Sequence, residues 1–154
     1  MSIGSRTLIS VRHNFETGHR LPHIPGKCQS LHGHSWWAEV WISAPGTDER
    51  GMVVEYGDFK RRLRDWIDEY WDHGLILGQE DPLCKTLADF PEMKVYALSD
   101  WPTVELVCHH LVGVANWILV DEPGLKLAPG AFVDRVRVQE THVNAAEWHY
   151  GQEW

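Results

Sequence analysis

Basic residues are in short supply. The 14 Lys and Arg against 22 Asp and Glu leave a formal net charge of −8. No Lys/Arg stripe is visible, so the footprint of a duplex nucleic-acid binder is missing. An anionic small molecule would have to find its positive partners locally. Cysteine is scarce too. Cys28, Cys84 and Cys108 are an odd number without framework spacing, which favours free thiols in a cytoplasmic chain over a stapled secreted fold. The opening MSIGSRTLISVRHNF holds no long apolar run, so neither a secretory signal nor a membrane span is expected. No internal repeat or low-complexity tract appears.

What is present suits one packed domain over residues 1–154. Hydrophobic residues make up 44% of the chain, enough for a real core. Nine tryptophans must largely be buried or sit at interfaces. TLISVRHNFET reads as a first strand and HSWWAEVWISA as a second, with Trp36, Ala38, Val40 and Ile42 on one face and Trp37, Glu39 and Trp41 on the other. From about Gly57 the period becomes helical: Phe59, Leu63, Trp66, Ile67, Tyr70 and Trp71 form one stripe. Gly74 is the expected left-handed stop. In the long connection that follows, KVYAL suits a short edge strand. A second helix is expected to open at Pro102, with Val104, Val107, Leu111, Ala115 and Ile118 as its stripe. FVDRVRVQETHV and AEWHYG supply the last two strands. This order predicts an α+β domain, an antiparallel four-stranded sheet with two helices on one face. Its other face and its edges suit burial between subunits.

The segment TGHRLPHIPGKCQSLHGHSWW gathers four histidines and a cysteine. His32 and His34 are two apart on a strand and point the same way, so both can reach one ion. His19, on the preceding strand, can supply a third nitrogen. Three imidazoles with a vacant fourth position make a catalytic zinc arrangement. Two alternatives stay open at this point. Cys28 as a fourth ligand would close a structural site, and His23 can replace His19. If Cys28 stays unligated, the metal and the basic Arg20 and Lys27 would lower its pKa and suit it as thiolate base or nucleophile. Glu140 alternates with Val136 and Val138, which places a carboxylate on an apolar strand face where it needs partners.

Taken in order, FETGHRLP, KCQSLHGHSW, GMVVEYGDFK, WDHGLIL, WPTVE and VRVQET resemble the 6-pyruvoyl-tetrahydropterin synthase family over residues 11 to 150. Three residues separate Cys28 from HGH, as in its bacterial 6-carboxy-5,6,7,8-tetrahydropterin synthase branch. The resemblance implies Zn2+ on His19, His32 and His34, with Cys28 free to move a proton. It implies an Asp72–His73 relay, Glu140 anchoring the pterin, and Thr103 with Glu105 capping a helix or lining the pocket. It further implies the tunnelling fold (T-fold), whose sheets close a barrel in a trimer or hexamer. The implied substrate is the small molecule 7,8-dihydroneopterin triphosphate. Its conversion to 6-carboxytetrahydropterin releases acetaldehyde and triphosphate on the way to 7-deazaguanines such as queuosine. No nucleic-acid or membrane partner is expected. The pyruvoyl-forming reaction and a non-catalytic zinc-stabilised scaffold are the rival readings. Arg20, Lys27 and His23 are the cations nearest the metal in sequence for the triphosphate. Glu55-Tyr56 and Gly78 depart mildly from the family pattern, which has Asp-Phe and often asparagine there.

Overall fold

The computed structural model describes residues 5–152. Two 13-residue strands, β1 (Thr7–His19) and β2 (His32–Ala44), form a long antiparallel hairpin in which Phe15 faces Trp36 and His19 faces His32. Helix α1 (Tyr56–Tyr70) follows, then β3 (Gly74–Gly78), a short α2 (Pro82–Leu87), β4 (Val95–Leu98) and α3 (Val104–Asn116). A wider turn, Trp117–Asp121, extends α3, and β5 (Phe132–Gln139) and β6 (Ala145–His149) complete the chain.

The sheet order is β4-β3-β1-β2-β5-β6. The expected four antiparallel strands are its β1, β2, β5 and β6. The sheet is nevertheless six-stranded and mixed, because β3 pairs in parallel with both β1 and β4. KVYAL does form the edge strand. GLILG is the strand that alternation could not reveal, since a strand covered on both faces reads as an unbroken apolar run; Ile76 and Leu77 are fully buried.

One face of the sheet carries the core. Val11, Phe15, Trp36, Ala38, Val40, Ile42, Val136 and Val138 pack against Phe59, Leu63 and Ile67 of α1 and Val107, Leu111 and Ala115 of α3. Trp37 and Trp41 lie half-buried on the other face, with the guanidinium groups of Arg12 and Arg135 stacked over them at 4.1 and 3.8 Å. The run Val104–Asp121 is long and apolar enough to cross a membrane. Its apolar side chains Val107, Leu111, Val114, Ala115 and Ile118 are spent on the core.

The helix ends correct two expectations. Helix α1 stops at Tyr70, and His73, not Gly74, takes the left-handed conformation (φ 55°). Gly74 serves close packing instead, because a Cβ there would come within 2.9 Å of the Lys94 carbonyl oxygen. Helix α3 opens at Val104 rather than Pro102. The Thr103 side chain caps it by accepting the Leu106 N–H at 3.3 Å. Glu55 caps α1 through the Gly57 and Asp58 amides.

Leu63 is fully buried between α1 and the sheet. Leu63→Ala is expected to cost about 2–5 kcal/mol by leaving a cavity. Urea unfolding checks this: the midpoint falls while the slope stays constant.

Candidate metal centre

The hairpin register builds the site. His19 ends β1 directly opposite His32, the first residue of β2, and His34 sits two residues further along the same face. One ring nitrogen from each lies within 4.8 Å of the other two, and the ring centroids are 4.7, 5.2 and 4.9 Å apart. This is the buried face of the sheet, so His19 is 1% exposed.

Backbone carbonyls fix two tautomers. His19 Nδ1–H donates to the Pro102 carbonyl at 2.8 Å and His32 Nδ1–H donates to the Ser30 carbonyl at 2.7 Å. Each Nε2 is thereby left with a lone pair, the ligand form of histidine. The Nε2 atoms of His19 and His34 are buried and have no hydrogen-bond partner among the described residues. Glu140 Oε1 stands 3.3 Å from His19 Nε2 and 3.9 Å from His34 Nε2. A carboxylate oxygen and neutral imidazole lone pairs are all acceptors, so a cation among them satisfies every one. The residues present therefore fit a metal ion.

Electrostatics points the same way. Burial lowers the His19 pKa to about 4, against an opposing pull from the Pro102 carbonyl, and His32 and His34 lower it further. Burial also lowers His34, with Glu140 partly offsetting it and His32 adding to it. Near neutral pH His19 therefore offers its lone pair without first shedding a proton.

Residues 8–150 match the family described as 6-pyruvoyl tetrahydropterin synthase. The chain belongs to this family. A protein of Rickettsia typhi named 6-carboxy-5,6,7,8-tetrahydropterin synthase is 37% identical over 131 residues, covering 84% of this chain and 91% of that one. Its namesake in Rickettsia bellii is 43% identical over 101 residues, covering 65% and 73%. The 6-pyruvoyl tetrahydropterin synthase of Caenorhabditis elegans superposes with a TM-score of 0.67 at 18% identity, over 97% of this chain and 99% of that one. An uncharacterized Wolinella succinogenes protein gives 0.73 at 22% identity, over 95% and 99%. These two likenesses speak to fold.

The remaining candidate residues are distributed around the cluster. Cys28 is exposed on a single helical turn, Lys27–Gln29, and does not join the ligand trio. His23 does not join it either, and stacks on Trp101 instead. Asp72 and His73 are tied to β1. The Asp72 carboxylate accepts the Glu16 N–H at 2.8 Å and bonds His73 Nδ1 at 2.7 Å, while the Glu16 carbonyl accepts the His73 N–H at 2.7 Å. Burial pushes the Asp72 carboxyl up, but the Glu16 amide, His73 and Lys94 together leave it below its ordinary value. Thr103 Oγ is engaged as the α3 cap, and Glu105 is exposed in the first turn. Arg20 is engaged as well: its guanidinium pairs through both Nε and Nη2 with Asp81, whose side chain is fully buried and also caps α2. Lys27 is exposed.

A cavity of about 380 Å³ opens beside His34, between Glu16, Gly33, Ser35 and Gly74. Ser35 Oγ donates to Glu16 Oε1 at 2.7 Å. Sequence reasoning passed over Glu16, Asp81 and Trp101. Asp81 carried a signal, an aspartate directly before a proline at a helix start; the other two are recognisable only from their neighbours in space.

The depressed His19 pKa fixes a pH dependence. With the folded value near 4 and the ordinary value 6.5, the unfolded chain takes up the proton first as pH falls. The stability of the metal-free protein is therefore complete above pH 6.5 and is lost progressively toward pH 4. Thermal scans of metal-free protein between these limits are expected to show a falling Tm, and His19→Gln to flatten the trend.

Proposed function

We propose that this chain is a zinc-dependent lyase that converts 7,8-dihydroneopterin triphosphate to 6-carboxy-5,6,7,8-tetrahydropterin, releasing acetaldehyde and triphosphate. One observation carries the reading: three imidazoles converge, two of them with buried unpaired nitrogens, in a chain whose relatives bear that enzyme's name. The product's place would be in 7-deazaguanine biosynthesis.

His19, His32 and His34 hold the ion, and the carbonyls of Pro102 and Ser30 keep His19 and His32 in the ligating tautomer. A bound zinc supplies Lewis-acid polarisation of substrate oxygens. The protein's own groups do the rest. The Cys28 thiolate, outside the ligand trio, takes or returns the proton on carbon. The Asp72 carboxylate orients His73 through Nδ1, which leaves Nε2 to exchange a proton with the substrate side chain. The Glu140 carboxylate accepts the pterin ring N–H and exocyclic amine together. Thr103 acts through the α3 cap, which steadies the Pro102 carbonyl behind His19. Arg20, oriented by its pair with Asp81, is assigned no part in triphosphate binding in this scheme.

The sheet ends in β4 on one side and β6 on the other. Two such edges favour closure of the sheet with neighbouring copies into a trimer or hexamer. Light scattering on the zinc-loaded protein is expected to give a multiple of three chains; a monomer would refute that assembly.

Purified protein incubated with dihydroneopterin triphosphate tests the chemistry. Acetaldehyde release is expected. A pyruvoyl product without acetaldehyde would assign the rival synthase reaction instead. Cys28→Ala is expected to keep its zinc and its fold while turnover falls by about 10²–10⁴-fold, the usual worth of a general base. Loss of zinc together with unfolding in that variant would mark a structural metal and a scaffold role.

A further inference from the structure

The segment 20–31 joins β1 to β2 and carries Cys28; from His23 to Leu31 every residue is exposed. Few contacts hold it. At its base Arg20 is paired with Asp81. The Leu21 N–H donates to the Cys28 carbonyl at 2.7 Å, which closes residues 21–28 into a lobe. Within the lobe the Ile24 N–H donates to the Leu21 carbonyl at 3.2 Å. At its far end the Ser30 carbonyl accepts the His32 Nδ1–H at 2.7 Å, and between the two ends the His23 ring lies flat on Trp101, with centroids 4.7 Å apart and planes 15° from parallel.

Trp101 is itself fixed from two sides. Its ring occupies the space where a side chain on Gly78 would stand, since a Cβ there would approach Trp101 Cε3 to 2.8 Å. Gly78 has no positive φ, so this residue is glycine for the sake of the ring and not of the backbone. The residue after Trp101 is the buried Pro102, whose carbonyl holds His19 Nδ1, and Thr103 then caps α3. One short strap thus grips a metal-cluster histidine through its backbone and the thiol-bearing lobe through its side chain.

We propose that Trp101 is a positioning residue: seated over Gly78, its indole face holds the His23 side of the lobe and so sets Cys28 in register with His19. The Arg20–Asp81 pair and the Ser30 carbonyl on His32 hold the two ends of the segment, and the stack holds the His23 side between them. The proposal rests on the reading of Cys28 as the proton-transfer group. The anchoring itself is measurable without turnover.

The test uses zinc-loaded full-length protein, as wild type, Trp101→Ala, Trp101→Phe, Gly78→Ala, His23→Ala and the Trp101→Ala/His23→Ala double variant. Deuterium exchange is followed in peptides spanning 20–31, with a peptide from α1 as control, alongside bound zinc, kcat and KM. Trp101→Ala, Gly78→Ala and His23→Ala are expected to speed exchange at the Leu21 and Ile24 amides while the α1 peptide is unchanged. They are also expected to keep the zinc, and to lower kcat by roughly 10- to 100-fold, the scale of a small misplacement of a reacting group. Trp101→Phe is expected to restore most of both, and the double variant to lose no more than either single one. Unchanged exchange in 20–31, or losses that add in the double variant, would overturn the proposal. Zinc lost in step with kcat in Trp101→Ala would also overturn it, since the residue would then act through Pro102 and His19. A wild type without turnover but with the expected exchange pattern would remove the catalytic reading and leave the anchoring intact.

Discussion

The pairing of His19 with His32 across the first hairpin governs the candidate centre. Directly opposed residues on antiparallel strands share a face, and His34 shares it by period two. A slip of one residue would turn His32 and His34 to the open face and Trp36, Ala38, Val40 and Ile42 with them. The core would be lost along with the metal cluster. The same apolar burial that stabilises the fold therefore sets the ligand geometry, and neither can drift without the other.

That placement is electrostatically costly. Three imidazoles and the Glu140 carboxylate meet in a largely buried space with no proton donor assigned to His19 Nε2 or His34 Nε2. Buried acceptors without partners destabilise a fold, and here the helices and strands outweigh that cost. The α3 entry contributes directly, because the Pro102 carbonyl locks His19 and the Thr103 cap steadies the turn that presents it. The Asp72–His73 pair is held by comparable means. His73 adopts a left-handed backbone that β-carbon sterics disfavour; its N–H donates to the Glu16 carbonyl, and the Glu16 N–H donates to the adjoining Asp72 carboxylate. Both constellations are thus hung on the last four residues of β1.

Much of this was legible along the chain. Period-two alternation gave the faces of β2, β-former content gave β1, the helical stripes gave α1 and α3, and the HGH spacing with His19 made the cluster a candidate. What escaped did so for identifiable reasons. GLILG lacks alternation because it is covered on both sides, so a parallel strand looked like a connection. Gly74 resembled a helix stop, yet close approach of Lys94 is what requires a glycine there. The Arg20–Asp81 pair escaped because its two members lie 61 residues apart.

Residue types and their local spacing sufficed to name the family and most of the elements, and narrowed the donors to a few candidates, because periodicity and side-chain chemistry are properties of neighbours along the chain. Which groups remain free to act depended on contacts distant in sequence. The Arg20–Asp81 pair, the Pro102 carbonyl on His19, the seat of Trp101 over Gly78 and the nearness of Glu140 to two histidines exist only once strands and helices have packed. Hydrogen bonding and close packing act across ångströms of space, whatever the separation in sequence.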